Sequence, residues 1–66
     1  MKFEYIFNLC DNPQDVTWII QDNSSNTREV YKGVDYCPAE YLIVTHYKVY
    51  QEDGETCIYV GGVRDW

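Results

Sequence analysis

The sequence predicts an all-β fold, a small antiparallel sheet of four to five strands in meander order that could curl into a partial barrel. Three observations predict it. Seven Val, five Ile, four Thr and eleven aromatic residues stand against two Leu and one Ala, and β-branched and aromatic side chains suit a pleated, half-buried surface. Runs of alternating apolar and polar residues recur between Asn-, Gly- and Pro-rich breaks. Finally, Asp53-Gly54 is the preferred pair for a two-residue hairpin turn and lies between two such runs.

Residues 2–10 alternate, with Phe3, Tyr5, Phe7 and Leu9 on one face, and predict a first strand. Asp11-Asn12-Pro13 ends it, because proline cannot donate to a ladder and Asx residues favour turns. Val16 to Gln21 reads as a second strand. Its alternative is a short helix at about 13–22, with Asn12 as N-cap, Pro13 at the first helical position and Asp15 in the first turn, which would make the fold α+β. The run Val16-Thr17-Trp18-Ile19-Ile20 favours the strand, since a short helix of such residues is poorly stabilised.

Asp22 to Asn26 is a polar loop, and Thr27 to Lys32 a return strand that Gly33 closes. Val34 to Glu40 is a connection, with Cys37 held extended by Pro38. The last two strands form a hairpin over Tyr41–Tyr50 and Thr56–Val60. A two-residue loop fixes its register, setting Glu52 opposite Glu55, Gln51 opposite Thr56, Tyr50 opposite Cys57, Val49 opposite Ile58, Lys48 opposite Tyr59 and Tyr47 opposite Val60. Ile43, Tyr47, Val49, Ile58 and Val60 then share a core face. Leu42, Val44, His46, Lys48, Tyr50, Cys57 and Tyr59 share the other, where Lys48 can reach the Tyr59 ring. Gly61 to Trp66 reads as an irregular tail.

Sixty-six residues at 7.8 kDa make one domain, 1–66, with little interior to spare for a deep cleft. Eleven acidic residues against five basic ones give a net charge of −6. Such a surface repels phosphate, which argues against direct nucleic-acid or anionic-membrane binding and makes a basic protein surface the complementary partner. No stretch approaches the roughly 20 apolar residues of a membrane span. Nor does Met1-Lys2-Phe3-Glu4-Tyr5 open the apolar run of a secretory signal. Three widely spaced cysteines, Cys10, Cys37 and Cys57, fit a reducing compartment, although pairing of any two stays open. The expected location is the cytoplasm of the producing or host cell.

Catalytic patterns are missing. No elbow surrounds a Ser or Cys, no Gly-rich loop cradles phosphate, and His46 is the single histidine. Gly61-Gly62 matches the tail of ubiquitin-like modifiers in two residues only. The chain is therefore read as no enzyme, with no metal and no cofactor. What remains is a surplus of Tyr and Trp, including Trp66, which are common interface anchors.

These observations predict a small acidic binding protein that docks on a protein partner and inhibits or modulates it by occupying a basic nucleic-acid-binding surface. Phage and mobile-element inhibitors of host defence or host transcription are commonly of this size and charge. The expected contact residues are Glu52, Asp53 and Glu55 at the hairpin tip, Tyr50, Lys48 and Tyr59 beside them, and Asp11 and Asp15 as a second acidic cluster. Two alternatives are a structural or assembly subunit forming a homo-oligomer, and a β module that binds a small ligand on its aromatic face.

Overall fold

Trp18 is fully buried at the centre of the core in the computed structural model of this chain, described here over residues 1–65. Trp66, counted above among the aromatic residues, lies outside the described residues. In chain order the elements are α1 (Phe3–Leu9), a single 3-10 turn (Pro13–Asp15), β1 (Val16–Asp22), β2 (Thr27–Lys32), β3 (Leu42–Glu52) and β4 (Glu55–Arg64). The strands form one sheet in the order β2-β1-β4-β3, with β2 and β3 as its two edges. It is mainly β with one short helix, and it does not close into a barrel.

The first expected strand is a helix. Phe3, Phe7 and, more partially, Ile6 and Cys10 pack into the core, while Tyr5 and Leu9 are exposed. Spacings of three and four residues describe one helical stripe, whereas the alternation placed Ile6 and Cys10 on the face opposite Phe3. The stripe lands on Trp18, whose ring stands edge-on to Phe3 at 5.3 Å and tilted against Phe7 at 5.2 Å. Burying these rings supplies the stability that seven residues of helix lack by themselves.

The strand expected over Val16–Gln21 forms and runs one residue further, as Val16–Asp22, and a helix over 13–22 does not form. The helix-start signal at Pro13 produces only the 3-10 turn, closed by the Asp15 amide donating to the Asn12 carbonyl at 3.0 Å. The Trp18 indole N–H donates to the Pro13 carbonyl at 3.1 Å and ties this turn to the core.

The meander is also corrected. β1 pairs antiparallel with β2 and β3 with β4, but β1 and β4 lie parallel, with Val16 opposite Thr56 and Asp22 opposite Gly62. β1 and β4 are the most continuously apolar strands, and they take the two central positions, where each has a strand neighbour at both edges. β2, which carries Arg28, Glu29 and Lys32, takes an edge where charge is tolerated. Segment 33–41 returns the chain to the far end of the sheet. Its Ala39 is buried, and Val34 and Cys37 pack against the cluster that holds Phe3 and Phe7. α1 and this segment therefore cover one face, and the opposite face is open.

All six expected hairpin pairs occur, and the turn has φ of 52° at Asp53 and 79° at Gly54, as a type I′ turn requires. The tail does not behave as expected, because Gly61 to Arg64 extend β4. The division of the hairpin into faces is corrected as well. The register shifts between Val44 and His46, leaving Thr45 as a bulge. Leu42 and Val44 therefore reach the core beside Val60, while Tyr47 and Val49 project beyond the cover of α1 and are exposed.

The glycines in β4 are required by this bulge. A Cβ on Gly62 would collide with the Ile43 carbonyl, and one on Gly61 would collide with the His46 ring. Gly61-Gly62 is a close-packed site inside a strand.

Candidate protein-interaction site

The parallel pairing decides where the acidic residues sit. β1 and β4 start at the same end of the sheet, so the segment entering β1 lies beside the β3–β4 turn. Asp15 immediately precedes Val16, which pairs with Thr56 next to Glu55. Asp15 therefore lies at the same end as Glu52, Asp53 and Glu55 and forms an acidic pole with them, while Asp11 stands four residues earlier in the chain, just before the 3-10 turn and next to Cys10, which packs on the core. Only Glu55 among these five is in an ion pair within the described residues: Lys32 Nζ lies 3.3 Å from its carboxylate, and the Thr17 hydroxyl donates to it at 3.4 Å. That cation also offsets the like charge of Glu52 across the turn.

Beneath the pole, on the open face, Thr17, Ile19, Lys32, Glu52, Asp53, Glu55 and Cys57 surround a shallow concavity of ≈ 290 Å³. Among the described residues no three carboxylate, thiol or imidazole groups converge as a metal site would need.

Tyr50, Lys48 and Tyr59 lie farther along the same face. The expected Lys48–Tyr59 contact is replaced by two others. Lys48 Nζ sits over the Tyr50 ring, 5.6 Å from its centroid, and Arg28 sits over Tyr59 at the same distance. Arg28 extends from β2 across β1, steadied by a 3.1 Å hydrogen bond from its Nε to the Gln21 side-chain oxygen. The His46 ring packs on Tyr59 at 5.7 Å and covers Gly61. Burial and the neighbouring Cys57 and Glu52 push the Tyr50 phenol above its ordinary range. Arg28 and Lys48 thus lie with His46 on the open face farther from the hairpin tip, whereas Lys32 stands at the acidic pole in its ion pair with Glu55.

His46 pairs with Gly61 and Cys57 with Tyr50. Four residues of strand separate them, on the order of 13 Å at strand rise, so they form no nucleophile–base pair. All three thiols are free, with Cys57 buried and Cys10 and Cys37 half-buried against the core. Burial pushes the Cys37 thiol up.

Sequence reasoning missed Asp22 and Arg64. Asp22 is buried at the far end of β1, where Arg64 Nε donates to it at 2.7 Å and the Ser24 amide at 2.9 Å. The Arg64 guanidinium also lies over the Tyr41 ring, 5.2 Å from its centroid. The available signal was a carboxylate closing an apolar strand just before Asn23-Ser24-Ser25, a side chain placed to cap that turn.

Comparison with protein-family models, with curated proteins and with solved structures gives no match for this chain. Among the described residues no helix is long and apolar enough to cross a membrane.

Proposed function

We propose that this chain is a small acidic binding protein that docks on a protein partner and inhibits or modulates it by occupying a basic surface of the kind that holds nucleic acid. The observation that carries this reading is the gathering of Asp15, Glu52, Asp53 and Glu55 at one end of the sheet, with Asp11 four residues before Asp15. Four of the five are free of ion pairs among the described residues. Charge concentrated in this way steers a basic partner toward that end and raises the association rate at low ionic strength. Tyr50 and Tyr59 on the adjoining open face add area that water leaves on docking. The partner is a protein, not nucleic acid or membrane, and the site of action is the cytoplasm of the producing or host cell.

Affinity capture of host proteins at low salt tests this reading. A basic partner that binds at low salt and is released by 0.5 M salt is the expected result. The combined variant Asp11→Asn, Asp15→Asn, Glu52→Gln and Asp53→Asn removes four charges while Asn still suits the positive φ at position 53. It should slow association by about tenfold or more. Capture that is indifferent to salt and to these four substitutions would refute the electrostatic mechanism.

A further inference from the structure

The two edges of the sheet are not equivalent. β2 is short, carries Arg28, Glu29 and Lys32 in its six residues, and so resists further pairing. β3 is eleven residues long, and its outer edge already accepts a strand at one end. Lys2 forms an antiparallel bridge with Ile43, and the Val44 amide donates to the Met1 carbonyl at 2.6 Å. The chain then turns into α1 and leaves the edge. From His46 to Glu52 the outer side of β3 has no strand partner among the described residues. Tyr47 and Val49 stand there 62% and 58% exposed.

We infer that this free edge of β3 pairs antiparallel with β3 of a second copy of the chain, about a two-fold axis at Val49, to give a continuous eight-stranded sheet. The register follows from the side chains. A two-fold perpendicular to the sheet requires opposed residues to share a face, so the axis passes through a residue. At Lys48 it opposes two ammonium groups. At Tyr47 it sets Lys48 against His46. At Tyr50 it shortens the ladder to residues 48–52 and pushes Tyr47 onto Asp53 in the turn.

At Val49 every pair is compatible. Val49 meets Val49, Lys48 faces Tyr50, Tyr47 faces Gln51, and the His46 imidazole faces the Glu52 carboxylate, over all seven residues 46–52. The Lys48–Tyr50 contact across the axis repeats one that β3 already makes within itself. The two turns point to opposite ends of such a dimer, so Asp11, Asp15 and Asp53 of each copy stay free.

Sedimentation equilibrium of the full chain, with circular dichroism of each variant to verify folding, tests the inference. The chain should pass from 7.8 kDa to twice that mass as concentration rises. Val49→Lys sets two ammonium groups on the axis and should weaken association by at least about tenfold. Val30→Lys makes the same chemical change at a residue of similar exposure on β2 and should leave association unchanged. Val49→Cys should give a disulfide-linked dimer on mild oxidation, above the background of the three native thiols, whereas Val30→Cys should not. This last readout needs no lysine variant to fold. A wild-type chain that stays monomeric at the highest concentration reached would overturn the inference. So would equal dissociation by the two lysine variants, or a dimer that Val49→Cys fails to cross-link.

Discussion

Arg64 Nε lies 2.7 Å from Asp22 Oδ2, joining the last residue of β4 to the last residue of β1 at the end of the sheet opposite the acidic pole. The Asp22 side chain is only 3% exposed and that of Arg64 41%, so the carboxylate is held inside and its partner reaches in from the rim. The Ser24 amide donates to the second carboxylate oxygen, and the Arg64 amide donates to the Ser24 hydroxyl at 2.9 Å. One buried charge thereby fixes the β1–β2 turn against the end of β4. Such a carboxylate is costly to leave unpaired.

Acid stability should report this pair. The hydrogen bond from Arg64 holds the Asp22 carboxyl below its ordinary value, with burial opposing the shift. A depressed folded-state pKa contributes stability that is fully present above the unfolded value, near pH 4, and is lost as pH falls through the folded value. Melting temperatures measured from pH 7 to pH 2 should therefore fall most steeply below about pH 4. Asp22→Asn should melt lower at pH 7 and show a flatter acid limb. An unchanged acid limb in that variant would show that other carboxylates control acid unfolding.

The alkaline side should report Tyr31. Its phenol donates to the Glu29 carboxylate, and this bond, with burial and the Glu29 charge, pushes its pKa from 10.0 up to about 12. A raised pKa means the folded state holds the proton longer. The contribution is present below pH 10 and is lost as pH rises through about 12. In an ultraviolet titration of the seven tyrosines, one phenol should ionise last. Tyr31→Phe should remove that final step, and Glu29→Gln should move it down.

The two glycines of β4 should differ in sensitivity. A methyl at position 62 meets the backbone of Ile43, which cannot yield without undoing the bulge, whereas at position 61 it meets only the His46 ring. Gly62→Ala is expected to cost about 1–3 kcal/mol as an overpacked site. Gly61→Ala should cost less, since an exposed ring can swing away. Urea titration of both variants gives the comparison, and equal midpoints would contradict it.

Loss of the aromatic cluster should unfold the domain. Removing the Trp18 ring deletes its contacts with Phe3 and Phe7 and its hydrogen bond to Pro13. Trp18→Ala is expected to cost about 3–5 kcal/mol, comparable with the whole stability of a domain this small. Phe7→Ala should leave the sheet spectrum visible but loosen α1, with a red shift of Trp18 fluorescence. A native-like thermal transition in Trp18→Ala would show that the core does not depend on this ring.

Much of the chain was legible wherever neighbouring residues fix the answer. The Asp53-Gly54 turn, the pairing from Tyr47–Val60 to Glu52–Glu55 and the limits of β2 follow from turn chemistry and side-chain branching. These act over a few bonds and need no distant partner. The alternation over residues 2–10 does not distinguish strand from helix, because Phe3 and Phe7 share a face in both. Only the position of Ile6 and Cys10 separates the two, and what settles the matter is the Trp18 surface that the stripe covers. The residues of the hairpin expected to make contacts lie where the register puts them, but Lys48 turns to Tyr50 and leaves Tyr59 to Arg28, a side chain two strands away.

The chain alone therefore determined a strand-rich domain, the register of its final hairpin and the sign of its charge. Three-dimensional packing decided the rest. It set β1 beside β4 in parallel, converted the first segment to helix and buried Asp22 under Arg64. It also brought Asp15 to the end of the sheet that carries the hairpin tip. The reason is range, because turn and pairing preferences are written in adjacent residues, whereas strand order depends on which apolar faces can be covered at once by segments far apart in sequence.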